Sequence, residues 1–296
     1  MFNIASSTGL IITYQMKKSN NLDKITIIVN TCDKFSDCWN IFFKLFEKYW
    51  SGCKSHIILT TYEKKYDYHG KLKIENLCAK KEYEFEPAWS EILLSTLNKL
   101  SDSDIVMLML DDFFISDYVD EDTISSCYEI MEKNNYSNIT LTNHDKKRTF
   151  HKTKNPLLFK IDSKSRYRIT TSPALWRVSA LKKYLIGDEN PWMFELFGTI
   201  RSHKIKDTFF RVNENMLKDS FKEVVPYFEA RDGDSAIVKG KWQVGVDKFL
   251  NKEGFNIDFT KRGFFKPKKF IFRKLDTFLT IAKYPNQTLR ALFSKI

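Results

Sequence analysis

The first half of the chain alternates short apolar runs with segments in which apolar residues recur every three or four positions. The runs cover residues 24–30, 56–61, 105–110 and 138–142, and the periodic segments cover residues 36–50, 87–100 and 119–134. Short apolar runs are typical of strands buried on both faces, and three-to-four-residue spacing is typical of helices with one apolar face. The order predicts an α/β fold with a mostly parallel, Rossmann-like sheet flanked by helices.

The second half of the chain is less regular. Its pattern predicts strands at 157–161, 167–171, 208–212 and 224–228, and helices at 179–186, 192–203 and 241–251. We therefore divide the chain into a leader at 1–23, one globular domain at 24–258 and a tail at 259–296.

Composition and charge narrow the class of protein. With 296 residues, 43% of them hydrophobic, the chain can form a sizeable core, and no apolar run approaches the roughly 18–20 residues of a membrane span. The five cysteines are scattered and form no C-x-x-C pair, which favours a reducing, cytoplasmic setting without disulfides. The net charge is +11, and residues 261–296 contain ten basic residues and one acidic residue. A near-neutral body with a cationic tail indicates an anionic partner.

The tail has the pattern of two short amphipathic helices with basic flanks. Its apolar positions recur at helical spacing in residues 270–283 and again in residues 289–296. This pattern is typical of a segment that lies in a membrane interface. We expect residues 264–296 to bind an anionic membrane surface; the alternative is a terminal helix that packs on its own domain.

The most informative motif is the pair Asp111 and Asp112, which follows the apolar run at 105–110. Ligands of open α/β sheets bind at the carboxyl ends of the strands, where this pair is predicted to lie. One or two carboxylates there suit Mn²⁺ or Mg²⁺, with phosphate oxygens and water completing the coordination. The alternative is that one aspartate caps the following turn while the other is solvated.

A second polar group follows the first predicted strand. Thr31 and Asp33 occupy the loop before the first helix, next to the same ligand crevice. Asp33 could accept hydrogen bonds from a nucleotide base or ribose. Alternatively, it only caps the helix that begins near Ser36.

A third group lies at the start of the helix predicted at 192–203. Glu195 shares a helix face with Trp192, and a carboxylate beside an indole loses solvation, so its pKa should rise towards that of a general base. Alternatively, Glu195 is a surface acid in the first helical turn. Trp176 and Arg177 follow the strand predicted at 167–171. Trp176 could stack on a sugar and Arg177 could pair with a phosphate. The alternative is a core tryptophan and a solvated arginine.

These segments in this order resemble bacterial GT-A-fold glycosyltransferases of surface-polysaccharide assembly. The resemblance covers residues 24–255 and depends on Leu110-Asp111-Asp112-Phe113-Phe114 and on Trp192-Met193-Phe194-Glu195. It implies a nucleotide-sugar donor, usually a UDP-sugar, bound by residues 24–145, and a glycan or lipid-linked acceptor bound by residues 146–258. It also implies that Asp111 and Asp112 replace the family's D-x-D motif, although here the two aspartates are adjacent. We assign metal binding to Asp112, with Asp111 shared between metal and donor.

The resemblance leads to an expected reaction and location. Glu195 would deprotonate an acceptor hydroxyl in an inverting hexosyl transfer, with Thr31, Asp33 and Asp111 on the donor and Trp176, Arg177 and Trp192 on the substrates. The enzyme would be cytoplasmic and peripheral at the inner face of the plasma membrane. The competing hypotheses are a non-catalytic basic protein that binds nucleic acid or anionic membrane, and an inactive relative that only scaffolds. No nucleic-acid-binding motif is present, so we expect no nucleic-acid partner.

Overall fold

A computed structural model of the chain describes residues 21–143, 148–230, 235–266 and 282–293. Most of the predicted leader, nearly all of the first predicted tail helix and the last three residues lie outside the described residues.

One nine-stranded sheet forms the centre of the molecule. The strands are β1 (Thr26–Asn30), β2 (His56–Thr61), β3 (Lys73–Cys78), β4 (Ile105–Met109), β5 (Asn138–Thr140), β6 (Phe150–Lys152), β7 (Leu158–Ile161), β8 (Ala174–Arg177) and β9 (Phe209–Val212). Their order across the sheet is β3-β2-β1-β4-β8-β5-β9-β7-β6. The pairs along β3-β2-β1-β4 are parallel, whereas β8 is antiparallel to both of its neighbours. The predicted α/β sheet is confirmed, and it is parallel in its first half and mixed in its second.

Helices cover both faces of the sheet. They are α1 (Ser36–Tyr49), α2 (Trp89–Leu97), α3 (Glu121–Asn134), α4 (Val178–Tyr184), α5 (Pro191–Ser202), α6 (Val246–Lys252) and α7 (Pro285–Phe293). Side chains of a strand alternate between faces, so Ile27 and Val29 pack in one core with α1, α3 and α6, while Ile28 packs in a second core with α2, α4 and α5. This double burial explains why the central strands appear in the sequence as continuous apolar runs.

Three predicted elements differ in the structure. Residues 167–171 form turns, because the Arg168 side chain donates to the carbonyls of Ser202 and Asp207 and draws the segment onto α5. Residues 224–228 form no strand and share only one bridge with the sheet region. The helix predicted from residue 241 begins at Val246, because Gly245 before it has a φ of +98°. Residues 237–242 instead form a small hairpin, with β10 (Ile237–Val238) paired to β11 (Lys241–Trp242).

The domain also extends beyond the predicted boundary at residue 258. Trp242 donates its main-chain N–H to Gly263 and accepts one from Phe265, and its ring packs edge-on against Phe259. The first part of the predicted tail is therefore part of the globular domain. In the described parts of the chain, no helix is long and apolar enough to cross a membrane, and all five cysteines are free.

Candidate active site

Two parallel strands bring Thr31 and Asp111 together at one edge of the sheet. β1 ends at Asn30 and β4 ends at Met109, so the residues that follow them emerge side by side. The Thr31 hydroxyl donates to Asp111 Oδ2 over 2.5 Å. The indole N–H of Trp39, on α1, donates to the same oxygen over 3.0 Å. Asp111 is thus held in one orientation by two donors.

The pKa of Asp111 is raised well above its ordinary value. Burial is the largest cause, and the neighbouring charge of Asp112 adds to it, whereas the hydrogen bonds from Thr31 and Trp39 act in the opposite direction. A carboxyl with these surroundings binds a proton more readily than a solvated one.

Asp112 has a different environment. Ser235 donates its hydroxyl to Oδ2 over 2.7 Å, and the main-chain carbonyl of Asp112 accepts the N–H of Ala236 over 3.0 Å. The other carboxyl oxygen, Oδ1, is buried and has no hydrogen-bond partner among the described residues. Burial raises the pKa of Asp112 to about 6, against the lowering effects of Ser235 and Arg262, and the charge of Glu195 also raises it.

The unpartnered Oδ1 of Asp112 is the feature that fits a metal ion. A buried polar atom without a partner is costly, and a divalent cation would satisfy it. Within the described ranges, no three His, Cys, Asp or Glu side chains are placed to share one ion. A cation here would therefore take one or two carboxylates and complete its coordination with substrate oxygens and water, the usual pattern for Mg²⁺ at phosphates.

Asp33 lies at the same edge of the sheet, but its carboxylate is occupied by hydrogen bonds from main-chain N–H groups. Its carboxylate accepts the main-chain N–H groups of Tyr62, Glu63 and Lys64, at 3.1, 3.0 and 3.1 Å. Asp33 therefore orders the loop that follows β2 rather than capping α1. A direct contact between Asp33 and a nucleotide stays a prediction.

Glu195 is placed by the start of α5. Pro191 occupies the first turn, where its missing N–H is no loss, and the Asn190 side chain caps the helix by accepting the N–H of Met193 over 3.0 Å. These two residues fix where the helix begins. Glu195 follows one turn later.

The Glu195 carboxylate is anchored through one oxygen. Oε1 accepts the N–H of Thr171 (2.7 Å), its hydroxyl (2.8 Å) and the hydroxyl of Thr170 (3.2 Å). No donor of the described residues reaches the other oxygen, Oε2, and the side chain is partly exposed. Burial raises the pKa of Glu195, and the three hydrogen bonds limit the rise. A fixed carboxylate with a raised pKa and one available oxygen can act as a general base.

A buried ion pair holds α5 in place. Arg201 donates to both oxygens of Glu189 over 2.7 Å and to the carbonyl of Tyr184 over 2.6 Å, and neither charged side chain is exposed. Gly198 lets the turn with Ile169 approach closely, because a Cβ there would lie 3.3 Å from Ile169. The approach brings Thr170 and Thr171 to Glu195.

Two predicted substrate contacts are wrong. Trp176 is buried in the core between Tyr184 and Phe209. Arg177 is opposite Ile105, at the amino end of β4, whereas Asp111 and Asp112 follow the carboxyl end. The Arg177 guanidinium donates to the carbonyls of Ser103, Met131 and Tyr136. Because β8 runs antiparallel to β4, both residues lie beside the amino end of β4, away from Asp111 and Asp112. Trp192, in contrast, is exposed at the first turn of α5.

Arg262 was assigned to the tail by its sequence but lies near the two aspartates. Its guanidinium donates to both carboxylate oxygens of Asp37 and to the main-chain carbonyls of Lys34 and Gly240. It also lies 4.7 Å from the centre of the Phe35 ring. Its charge lowers the pKa of Asp112. Arg262 thus fastens residues 235–266 to the start of α1 and adds a positive charge beside the site.

Sequence reasoning missed Trp39, Ser235, Thr170 and Thr171. The helical spacing of Trp39 marked it as a core residue, and its position soon after the first strand was the available signal for a site residue. Ser235 and the two threonines reach the site only through tertiary packing, for which the sequence has no local signal.

Thr31 thus contacts Asp111 directly, and Glu195 is near enough for its charge to raise the pKa of Asp112. Compared with models of known protein families and with curated protein sequences, the chain matches no family and no individual protein.

Proposed function

We propose that the protein is a glycosyltransferase that moves a sugar from a nucleotide-sugar donor to a hydroxyl group of a glycan or lipid-linked acceptor. The observation that carries the proposal is the presence of two carboxylates that feel each other's charge. Asp112 has a buried oxygen without a partner among the described residues, and Glu195 has one oxygen available. The GT-A resemblance suggests the reaction class. The carboxyl ends of the parallel strands β3-β2-β1-β4 form the kind of edge at which open α/β sheets bind ligands, which supports a donor site there.

The donor diphosphate is assigned to the edge formed by Thr31, Asp111 and Asp112. Asp112 Oδ1 would hold a divalent cation, and Asp111, oriented by Thr31 and Trp39, would accept from the donor or share the ion. When bound, the ion supplies positive charge to the departing diphosphate. Arg262 adds charge of the same sign at longer range.

The acceptor is assigned to the part of the site that Glu195 and Trp192 form at the start of α5. Glu195 takes the proton of the acceptor hydroxyl at Oε2 while Thr170 and Thr171 hold Oε1. The hydroxyl oxygen forms a bond to the anomeric carbon, and the bond from that carbon to the diphosphate oxygen breaks, with the electron pair leaving on the diphosphate. Attack opposite the leaving group inverts the configuration. Trp192 is exposed and offers an aromatic face for a sugar.

Because Glu195 must be ionised to act as the base, the rate of sugar transfer should fall as the pH drops through its raised pKa. An acidic limb is therefore expected in the pH profile of sugar transfer.

The donor site is tested by calorimetric titration of UDP into the protein with Mn²⁺. We expect saturable binding that weakens at least about tenfold in Asp112→Asn, because a neutral amide holds the cation poorly. Asp219→Asn, at an exposed aspartate without a described hydrogen bond, is the matched control and should bind like the parent. Equal affinities of Asp112→Asn and the parent for UDP with Mn²⁺ would exclude Asp112 from the donor site.

A further inference from the structure

The helix α7, residues Pro285–Phe293, packs on α5 with its small side chains inward. Ala291 is fully buried against Met193 and Phe197. Tyr284, just before α7, packs against the same cluster. An amphipathic helix that docks on its own domain normally buries its large apolar residues. In α7 a small residue is buried instead.

The large apolar side chains of α7 face outward. Leu289, Leu292 and Phe293 are 52%, 46% and 75% exposed. They lie three and four positions apart, so they form one stripe along the helix. Ala291 is on the opposite side, which leaves the stripe without a partner in the described part of the chain.

The docking of α7 is specified by polar contacts as well. Lys204, just after α5, donates to the carbonyls of Ala291 and Leu292 at the end of α7. Arg290 pairs with Asp188 over 3.5 Å. These contacts keep the apolar stripe of α7 turned away from the domain.

We propose that this stripe is a membrane-docking surface, which inserts Leu289, Leu292 and Phe293 into the interface of an anionic bilayer. Apolar side chains flanked by cations are the arrangement that anionic interfaces bind. Lys283 and Arg290 flank the stripe, and residues 261–296 hold ten of the chain's basic residues and one acidic residue. The partner is thus a lipid surface with negative headgroups.

A second copy of the chain fits the stripe less well. Three side chains offer at most roughly 500 Å², below the roughly 800 Å² per partner of a stable interface. A symmetric contact would also bring two strongly basic segments together, which is unfavourable.

The docking has a consequence for the site. The helix α5 carries Glu195 and receives the inner face of α7, so a membrane bound by the outer face of α7 would lie about 10 Å from α5, the thickness of one helix. The proposal does not require glycosyl transfer, because lipid binding is measured without donor or acceptor.

The test is co-sedimentation of the full chain with vesicles of phosphatidylglycerol and phosphatidylethanolamine, compared with vesicles of phosphatidylcholine. We expect the parent to bind the anionic vesicles and to lose binding as salt is added. The triple variant Leu289→Gln, Leu292→Gln, Phe293→Gln should partition at least about tenfold less, because its apolar contact is removed. Its thermal unfolding should match that of the parent, since all three side chains are exposed.

The matched control replaces three other exposed apolar residues, Phe85, Met216 and Val244, by Gln. It should bind the anionic vesicles like the parent. The proposal is overturned if the α7 variant binds as well as the parent, or if the parent does not bind anionic vesicles. It is also overturned if the α7 variant only abolishes a dimer in sedimentation velocity, which would assign the stripe to a second copy.

Discussion

Two adjacent aspartates after β4 have different surroundings. Asp111 receives two hydrogen bonds on one oxygen, from Thr31 and Trp39. Asp112 receives one from Ser235, and its other oxygen is buried with no hydrogen-bond partner in the described part of the chain. Metal binding is assigned to Asp112 from the sequence, but the sequence has no local signal for these hydrogen bonds, because Thr31, Trp39 and Ser235 reach the pair from other parts of the chain. The unpartnered oxygen is the reason that the cation of the proposed reaction is assigned to Asp112.

Asp112 should reduce the stability of the metal-free protein at neutral pH. Its pKa is raised from an ordinary value of 3.8 to about 6, chiefly by burial. A carboxyl whose pKa is raised on folding stabilises the fold fully below the unfolded pKa, and that contribution is lost as the pH rises through about 6. Asp112→Asn removes the cost of the buried charge. We expect it to raise the free energy of unfolding by about 1–3 kcal/mol at pH 7.5 in a chelator.

The gain from Asp112→Asn should shrink as the pH falls from 6 towards 4, because Asp112 in the parent then becomes neutral as well. Urea unfolding at several pH values measures this, with Asp219→Asn as the control that should change little at any pH. A variant that is destabilised at pH 7.5 would mean that Asp112 is already paired with a charge in the folded protein.

At the scale of elements, the sequence predicts the helices whose apolar positions are periodic and the strands whose apolar runs are continuous. The helix α1 and the strands β1, β2 and β4 are found where their patterns place them, because each is buried along a whole face or on both. Residues 167–171 end in the β-branched Ile169, Thr170 and Thr171, which favour a strand. Hydrogen bonds from Arg168 to distant carbonyls instead hold the segment out of the sheet. Such long-range contacts have no signature in a local window.

The position of α5 should depend on the buried pair of Glu189 and Arg201. Glu189→Leu leaves the Arg201 guanidinium buried without its carboxylate, and we expect a loss of about 3–5 kcal/mol in the free energy of unfolding. Thermal or urea unfolding measures the loss.

The double variant Glu189→Leu, Arg201→Met is the control for this pair. It removes both charges and should recover most of the stability, since an apolar pair of similar volume can replace a buried ion pair. A single variant as stable as the parent would show that water reaches Arg201.

At the scale of the whole molecule, the site lies between two halves of different construction. The parallel half supplies Thr31, Asp111 and Asp112 from strand ends, as the sequence predicts. The mixed half supplies Glu195 from a helix and Ser235 from a loop after the sheet. Sequence reasoning placed Trp176 and Arg177 in the site because it could not foresee that β8 is antiparallel to β4, which turns both residues elsewhere.

Glu195 and Asp112 are proposed to serve one sugar-transfer reaction. The most direct test is the release of UDP from UDP-glucose, UDP-galactose and UDP-N-acetylglucosamine with Mn²⁺, with water as the acceptor, by the parent and by Glu195→Gln. We predict UDP release from at least one donor by the parent. Glu195→Gln should release UDP at least about 100-fold more slowly, because the general base is lost, while its calorimetric affinity for UDP stays within about twofold of the parent. UDP release by Glu195→Gln at the parent's rate, or a parent that neither binds UDP nor releases it from any of the three donors, would contradict the account.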